Sequence, residues 1–92
     1  TRQMVTTEHF ALQIIDRMIH NKPELRRYRE DMIQEANIGI FKAKAKYRGD
    51  AGATIKTYAY YWVLRELLRY IKEQIDWDTA HELSGDIYGE AM

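Results

Sequence analysis

The rest of the chain is organised around the sequence KTYAYYWVLRELLRYIKEQI, from Lys56 to Ile75. It contains neither proline nor glycine, and its apolar residues recur at helical spacing, so it predicts one helix of about five turns. Placing the side chains at about 100° per residue separates two faces. The first face is the usual core type and holds Tyr60, Val63, Leu64, Leu67, Ile71 and Ile75, with Leu68 at its margin. The opposite face is aromatic and then basic, and holds Tyr58, Tyr61, Trp62, Arg65, Arg69 and Lys72.

The aromatic and basic face admits two interpretations. Arginine and lysine neutralise phosphates and flat rings stack on unpaired bases, so the combination suits a nucleic acid surface. The alternative is that Tyr58, Tyr61 and Trp62 pack against another helix, because aromatic stripes are most often core. The aliphatic face already offers a surface for burial, which makes three further aromatic rings unnecessary for that purpose.

Two shorter helical patterns precede this stretch, with a proline between them. Residues 7–20 predict a first helix with Thr6 or Thr7 as N-cap, and Pro23 ends it and opens a short helix. A third helix is predicted from Glu30 or Asp31 to about Lys46, and Gly39 inside it either admits a close backbone or is tolerated. Its predicted buried face consists of Met32, Ile33, Ala36, Ile40, Phe41 and Tyr47.

The 92 residues are enough for one small domain. We expect an all-α bundle of three main helices plus one short helix in residues 1–75, with a glycine-containing loop at residues 48–53. Residues 76–92 are predicted to be an acidic tail or linker, a weak helix followed by a mobile end. All 14 lysines and arginines lie in residues 1–73 beside nine acids, whereas residues 74–92 contain five acids. This split indicates a polyanionic partner for the basic part.

Several classes of protein are disfavoured by composition. The chain has no cysteine, hence no disulfide or thiolate metal site, and no apolar run approaches the length of a membrane span. No secretory signal pattern is present at the N-terminus. His9, His20 and His81 lack metal-ligand spacing, and neither a glycine-rich phosphate loop nor a GxSxG motif occurs. We therefore expect no enzyme activity, no cofactor, no metal and no membrane partner.

Two linked motifs resemble region 2 of the sigma-70 family of bacterial sigma factors. These are DMIQEANIGIFKA at residues 31–43 and TYAYYWV at residues 57–63, and their separation matches the family without a gap. The resemblance covers about Asp31 to Ile71, and two motifs at the correct separation are more specific than either alone. The segment YREDM at residues 28–32, after a proline-led turn, also resembles compact sigma-like factors of bacteriophages.

The resemblance implies a helical domain that binds core RNA polymerase and melts the promoter −10 element. The helix with the first motif would dock on the clamp helices of the largest polymerase subunit through Asp31, Gln34, Glu35, Asn37 and Phe41. Non-template bases flipped out of the stack would meet Tyr47, Thr57, Tyr58, Tyr61 and Trp62. Arg65 and Arg69 lie where the family meets the upstream duplex, and Lys72 continues the same face.

The chain departs from the family pattern at several positions. Ala53 and Ile55 stand where aromatic residues are usual, and Tyr61 replaces the first of two tryptophans. Leu64 and Arg65 stand where arginine and glutamine are usual, so the upstream base preference is expected to differ, and Ala36 replaces a common glycine.

The function expected is therefore transcription initiation by a DNA-binding sigma region 2 module, in the cytoplasm of a bacterium or of a phage-infected host. One alternative is a partial sigma subunit that needs a second protein to read the −35 element. Another is an inhibitor that occupies the clamp helices without opening DNA, and a third is a plain helical interaction domain. An anti-sigma factor or a second sigma subunit is a further candidate partner.

Overall fold

A computed structural model describes residues 9–48 and 54–91, with side chains described up to Gly85. These residues form helices α1 (His9–Asn21), α2 (Arg29–Lys46), α3 (Ile55–Gln74) and α4 (Trp77–Ala91), with a 3₁₀ helix (Pro23–Tyr28) between α1 and α2. The predicted all-α class is confirmed. Thr6, Thr7 and Ala53 lie outside the described residues. No helix in the described ranges has the length and hydropathy needed to cross a membrane.

Helix α1 and the 3₁₀ helix form one side of the core. At the C-terminal end of α1, the Lys22 amide donates a hydrogen bond to the Met18 carbonyl (2.8 Å). Pro23 then begins the 3₁₀ helix, as predicted. Leu25 of that helix is fully buried and closes the end of the core. The face that α1 turns inward consists of Ala11, Ile14, Ile15, Met18 and Ile19.

Helices α2 and α3 are an antiparallel pair and make the most extensive contact in the fold. Asp31 near the start of α2 contacts Tyr70 near the end of α3, whereas Tyr47 after α2 contacts Tyr58 near the start of α3. Gly39 lies at the crossing. The expectation of a close backbone approach at this glycine is met, because a Cβ there would be 3.0 Å from the Trp62 carbonyl oxygen.

Helix α3 begins one residue earlier than predicted. Thr54 is its N-cap, and the Thr54 hydroxyl oxygen accepts a hydrogen bond from the Thr57 amide at 3.2 Å. The predicted aliphatic face is buried or partly buried throughout. The buried set also includes Ala59 and one charged residue, Glu66.

The weak helix expected in the acidic tail is α4, and it differs from expectation in that it packs in the core. Asp76 accepts hydrogen bonds from the amide and the hydroxyl of Thr79, both at 2.9 Å, and so caps α4. Ala80 and Leu83 are buried in the same hydrophobic cluster as α1, α2 and α3. Glu82 pairs with Lys22 before the 3₁₀ helix. The sparse apolar spacing of residues 76–92 predicts only a weak helix, and the packing of α4 against α3 that stabilises it is not visible in that spacing.

The predicted buried face of α2 is wrong at Phe41, which is 74% exposed. Met32, Ala36 and Ile40 are buried as expected, together with Gly39 and Ala43, while Ile33 and Tyr47 are half-buried. Apolar residues surround α2 on all sides, so periodicity alone does not distinguish the core side from the solvent side.

Candidate nucleic-acid interface and docking surface

The aromatic residues at the N-terminal end of α3 form a connected row of rings. The centroid of Tyr58 lies 5.6 Å from that of Tyr47 and 6.4 Å from that of Trp62, in tilted and edge-on arrangements. Tyr58 and Trp62 are half-buried, and Tyr61 is 48% exposed. None of the three is core, so each offers ring surface to a ligand as well as packing against neighbours.

A cation completes this row. The Arg65 guanidinium lies over the Trp62 ring, 5.2 Å from its centroid, which is cation–π geometry. Tyr58, Tyr61, Trp62 and Arg65 together line a pocket of about 220 Å³. Flat rings beside a guanidinium can stack on a base and hold its phosphate, so the pocket suits an unpaired nucleotide.

A second pocket adjoins the first across Tyr61. It has a volume of about 350 Å³ and is lined by Phe10, Lys56, Thr57, Tyr60 and Tyr61. Tyr60 and Tyr61 meet edge to face, with centroids 5.4 Å apart. Thr57 is exposed here, but its hydroxyl also accepts a hydrogen bond from Thr54 in the helix cap. This second pocket again combines aromatic rings with a cation, which extends the candidate single-strand surface toward α1.

Beyond Arg65 the face is basic but partly neutralised. Arg69 Nη2 lies 3.0 Å from Glu66 Oε1, and Lys42 of α2 contacts the other oxygen of that carboxylate. Lys72 is exposed about 15 Å along the axis from Trp62. Leu64, where the family resemblance expects arginine, is fully buried and contributes nothing to this face.

The predicted polymerase-binding residues lie on a different helix from the pocket. Gln34, Asn37 and Phe41 are exposed on one side of α2, at spacings of three and four residues. Ile38, 42% exposed, lies between them and was not identified from the sequence, although it is one turn from both Gln34 and Phe41. We name Gln34, Asn37, Ile38 and Phe41 the α2 stripe. It combines an apolar centre with polar neighbours, which suits a docking surface.

Asp31 and Glu35 lie at the edge of this surface and face Tyr70 of α3. The Tyr70 hydroxyl donates to Asp31 Oδ2 at 3.2 Å, and Glu35 is half-buried. Partial burial raises the pKa of Tyr70 above its ordinary value, and the hydrogen bond and charge of Asp31 raise it further. Asp31 therefore also fastens the two helices to each other.

Sequence reasoning missed one charged residue of this region, Glu66. The sequence does contain a feature that could have identified it: Glu66 is an acidic residue located between the aliphatic face and the aromatic face of the long helix. Among the described residues, no group of three or more histidines and carboxylates is placed to hold a metal ion.

The chain is similar to bacterial and plastid sigma factors. A family model described as Sigma-70 region 2 matches residues 17–75. RNA polymerase sigma factor RpoD of Helicobacter pylori is 41% identical over 44 residues, which are 48% of this chain and 7% of that protein. RNA polymerase sigma factor SigA of Mycoplasma genitalium is 39% identical over 44 residues, or 48% of this chain and 9% of that protein.

A plant protein that the chain resembles is also a sigma factor. The chloroplastic RNA polymerase sigma factor sigD of Arabidopsis thaliana is 36% identical over 42 residues, 46% of this chain and 10% of that protein. The matched part of the chain thus spans a tenth or less of the length of these relatives. No solved structure gives a significant match.

Proposed function

Because this chain belongs to the sigma-70 region 2 family, we propose that it binds core RNA polymerase and opens promoter DNA at the −10 element. In this proposal α2 docks on the clamp helices of the largest subunit, and α3 holds unpaired non-template bases. The protein acts by binding and catalyses no covalent step. Its setting is the cytoplasm of a bacterium or of a phage-infected host.

The main support for DNA binding is the pocket that is lined by Tyr58, Tyr61, Trp62 and Arg65. Its rings are partly exposed on a helix whose other face fills the core, so burial alone does not account for them. Stacking on such rings contributes about 1–3 kcal/mol per base, enough to favour a base that has left the duplex. The adjoining pocket at Phe10 and Tyr60 could bind the next nucleotide of the same DNA strand.

The docking half is supported by the α2 stripe. Phe41 is 74% exposed and Ile38 is 42% exposed, and both project from the helix that carries the family's first motif. Exposed apolar anchors surrounded by polar side chains are typical of the centre of a protein interface. The stripe and the pocket lie on separate helices, so polymerase and DNA can be bound together.

An acidic segment free to lie in the path of DNA would suit the inhibitor alternative, and the described residues give it little support. Asp76 caps α4 and Glu82 pairs with Lys22, so two of the five acids in residues 74–92 have intramolecular partners. The partial-sigma alternative concerns how the −35 element is read and leaves the proposed roles of α2 and α3 unchanged.

A binding and footprinting experiment tests the proposal. The tagged 92-residue chain is mixed with purified core polymerase and genomic DNA fragments, and unpaired thymines are detected by their reactivity with permanganate. We expect the chain to retain polymerase, and the complex to expose thymines at discrete positions that core polymerase alone leaves paired. Retention of polymerase without reactive thymines would favour the inhibitor, and failure to retain polymerase would contradict the proposal.

A further inference from the structure

Glu66 is a buried charge that the proposed function does not use. Its side chain is 1% exposed, and each carboxylate oxygen has a cation beside it. Oε2 accepts a hydrogen bond from Lys42 Nζ at 3.1 Å, and Oε1 accepts one from Arg69 Nη2 at 3.0 Å. The two cations are not buried with it, since their side chains remain 37% and 50% exposed.

Fold stability gives little reason for a carboxylate at this position. Replacing a buried ion pair by apolar residues of similar volume is often neutral or stabilising, because desolvation of the charges offsets their attraction. Glu66 lies between the buried residues Val63 and Leu67, where an aliphatic side chain would extend the core. The buried charge therefore points to a role at the surface that Lys42 and Arg69 reach.

That surface continues the candidate DNA interface. Arg69 is one turn beyond Arg65 and two turns beyond Trp62, on the same side of α3. One carboxylate at about 3 Å from two cations leaves the group with a single net positive charge. Each of these two cations therefore attracts a neighbouring phosphate more weakly than an unpaired cation would, whereas Arg65 lies over the Trp62 ring and forms no ion pair with any residue that the structure describes.

Phosphates and bases contribute differently to DNA selectivity. Contacts to phosphates are independent of sequence and supply most of the affinity for any duplex, whereas contacts to base edges and faces discriminate. A protein that stacks unpaired bases gains selectivity when its duplex-binding charge is reduced. Reducing the charge of Lys42 and Arg69 leaves the aromatic pocket with a larger share of the total affinity.

We propose that Glu66 determines the selectivity of the interface for melted over duplex DNA by neutralising part of the charge of Lys42 and Arg69. This inference rests on the proposed function, because it takes the α3 face to be the DNA-binding surface. Glu66 contacts neither base nor phosphate in this account. It acts through the two cations that it holds, and is a positioning and charge-setting residue.

The test compares Glu66→Gln with the wild-type 92-residue chain, using fluorescence anisotropy with one labelled duplex and one single strand of equal length. The salt series covers the range in which phosphate contacts are released. Glutamine keeps the shape and removes the charge. We expect duplex affinity to rise at least about threefold at low salt and the salt slope to steepen by about 1 to 2, with a smaller change for the single strand.

The matched control is Glu73→Gln, which removes the same charge from an exposed position on the same helix. Its effect on duplex affinity should stay below about twofold, because an exposed charge is screened by salt. The double variants Glu66→Gln/Arg69→Gln and Glu66→Gln/Lys42→Gln should lose most of the gain. An unchanged or weaker duplex affinity in folded Glu66→Gln protein would overturn the proposal, as would an equal gain in Glu73→Gln.

A second comparison keeps Glu66 intact, so it does not depend on how the Glu66 variant folds. Arg65→Gln should lower the salt slope by about 1, whereas Arg69→Gln should lower it by clearly less, because Arg69 is already partly neutralised. Equal losses would overturn the proposal. The proposal would also be overturned if no variant bound duplex DNA. Lys42 and Arg69, once freed from Glu66, would then fail to contact phosphates. The polymerase and footprinting experiment tests the proposed function separately, so either can fail alone.

Discussion

Gly39 of α2 packs directly against the backbone of Trp62 in α3. A Cβ at position 39 would lie 3.0 Å from the Trp62 carbonyl oxygen and 3.0 Å from the Cα of Val63. The two helices that we assign to polymerase docking and to base stacking therefore touch, backbone to backbone, beside the pocket. Their relative position depends on the absence of one methyl group.

Gly39→Ala is expected to destabilise the fold despite the higher helix propensity of alanine. Overpacking against backbone costs about 1–3 kcal/mol, and the propensity gain of about 1 kcal/mol offsets only part of it. Urea melts should show a net loss of up to about 2 kcal/mol. The matched control is Gly85→Ala in α4, where an added Cβ meets nothing within 4 Å. The control should gain up to about 1 kcal/mol, and a stabilised Gly39→Ala protein would contradict the close approach.

Leu83→Ala tests whether α4 belongs to the core. Leu83 is fully buried among residues of the other helices, so its truncation should cost about 2–5 kcal/mol of unfolding free energy. If residues 76–92 acted as a linker, the same substitution would leave the urea midpoint unchanged. Asp76→Ala should cost a smaller amount, about 1 kcal/mol, because it removes the cap of α4.

The fold was predictable where one face of a helix is clearly apolar. In α3 the spacing of Val63, Leu67 and Ile71 identifies the core side without ambiguity, and these residues are fully buried. In α2 the same reasoning failed at Phe41, because apolar residues surround the helix and only tertiary packing decides which are covered. Helix α4 was expected only as a weak helix in a tail, because Ala80 and Leu83 alone make too weak a pattern to predict that it packs in the core.

The candidate site was predictable in its residue types but not in its internal pairing. The rings at positions 58, 61 and 62 and the cation at 65 were expected on one face, and the structure brings them around one pocket. Partners across helices are not visible in a sequence. The Glu66 contact with Lys42 spans 24 positions, and the Asp31 contact with Tyr70 spans 39.

Phe41→Ala tests docking with little risk to the fold. The ring is 74% exposed, so stability should change by less than about 0.5 kcal/mol. If the ring is an anchor of the α2 stripe, affinity for core polymerase should fall about tenfold, which corresponds to about 1.4 kcal/mol. Trp77→Ala is the control, an exposed aromatic on α4. Equal polymerase affinity for wild-type and Phe41→Ala proteins in a titration would remove the ring from the interface.

Tyr70→Phe tests the Asp31 contact through pH. At neutral pH the loss of the hydrogen bond should cost about 0.5–1 kcal/mol, toward the low end because Asp31 is solvent-exposed. The folded protein raises the pKa of Tyr70 above 10.0. Its contribution is therefore complete below pH 10 and declines as the pH rises through the folded pKa. Urea melts of both proteins at neutral and alkaline pH should converge, and a constant difference would contradict the linkage.

In the proposed function, the rings on α3 hold unpaired bases while α2 holds polymerase. Its most direct test is the rate of promoter opening, followed by a fluorescent base analogue in the −10 region of the polymerase complex. Trp62→Ala should slow opening about 5- to 150-fold, the equivalent of 1–3 kcal/mol per stacked base, with polymerase affinity within about twofold. Tyr61→Ala, at a position 48% exposed, should slow it without a loss of stability. Opening at the wild-type rate in both variants, when folded and bound to polymerase, would contradict the account.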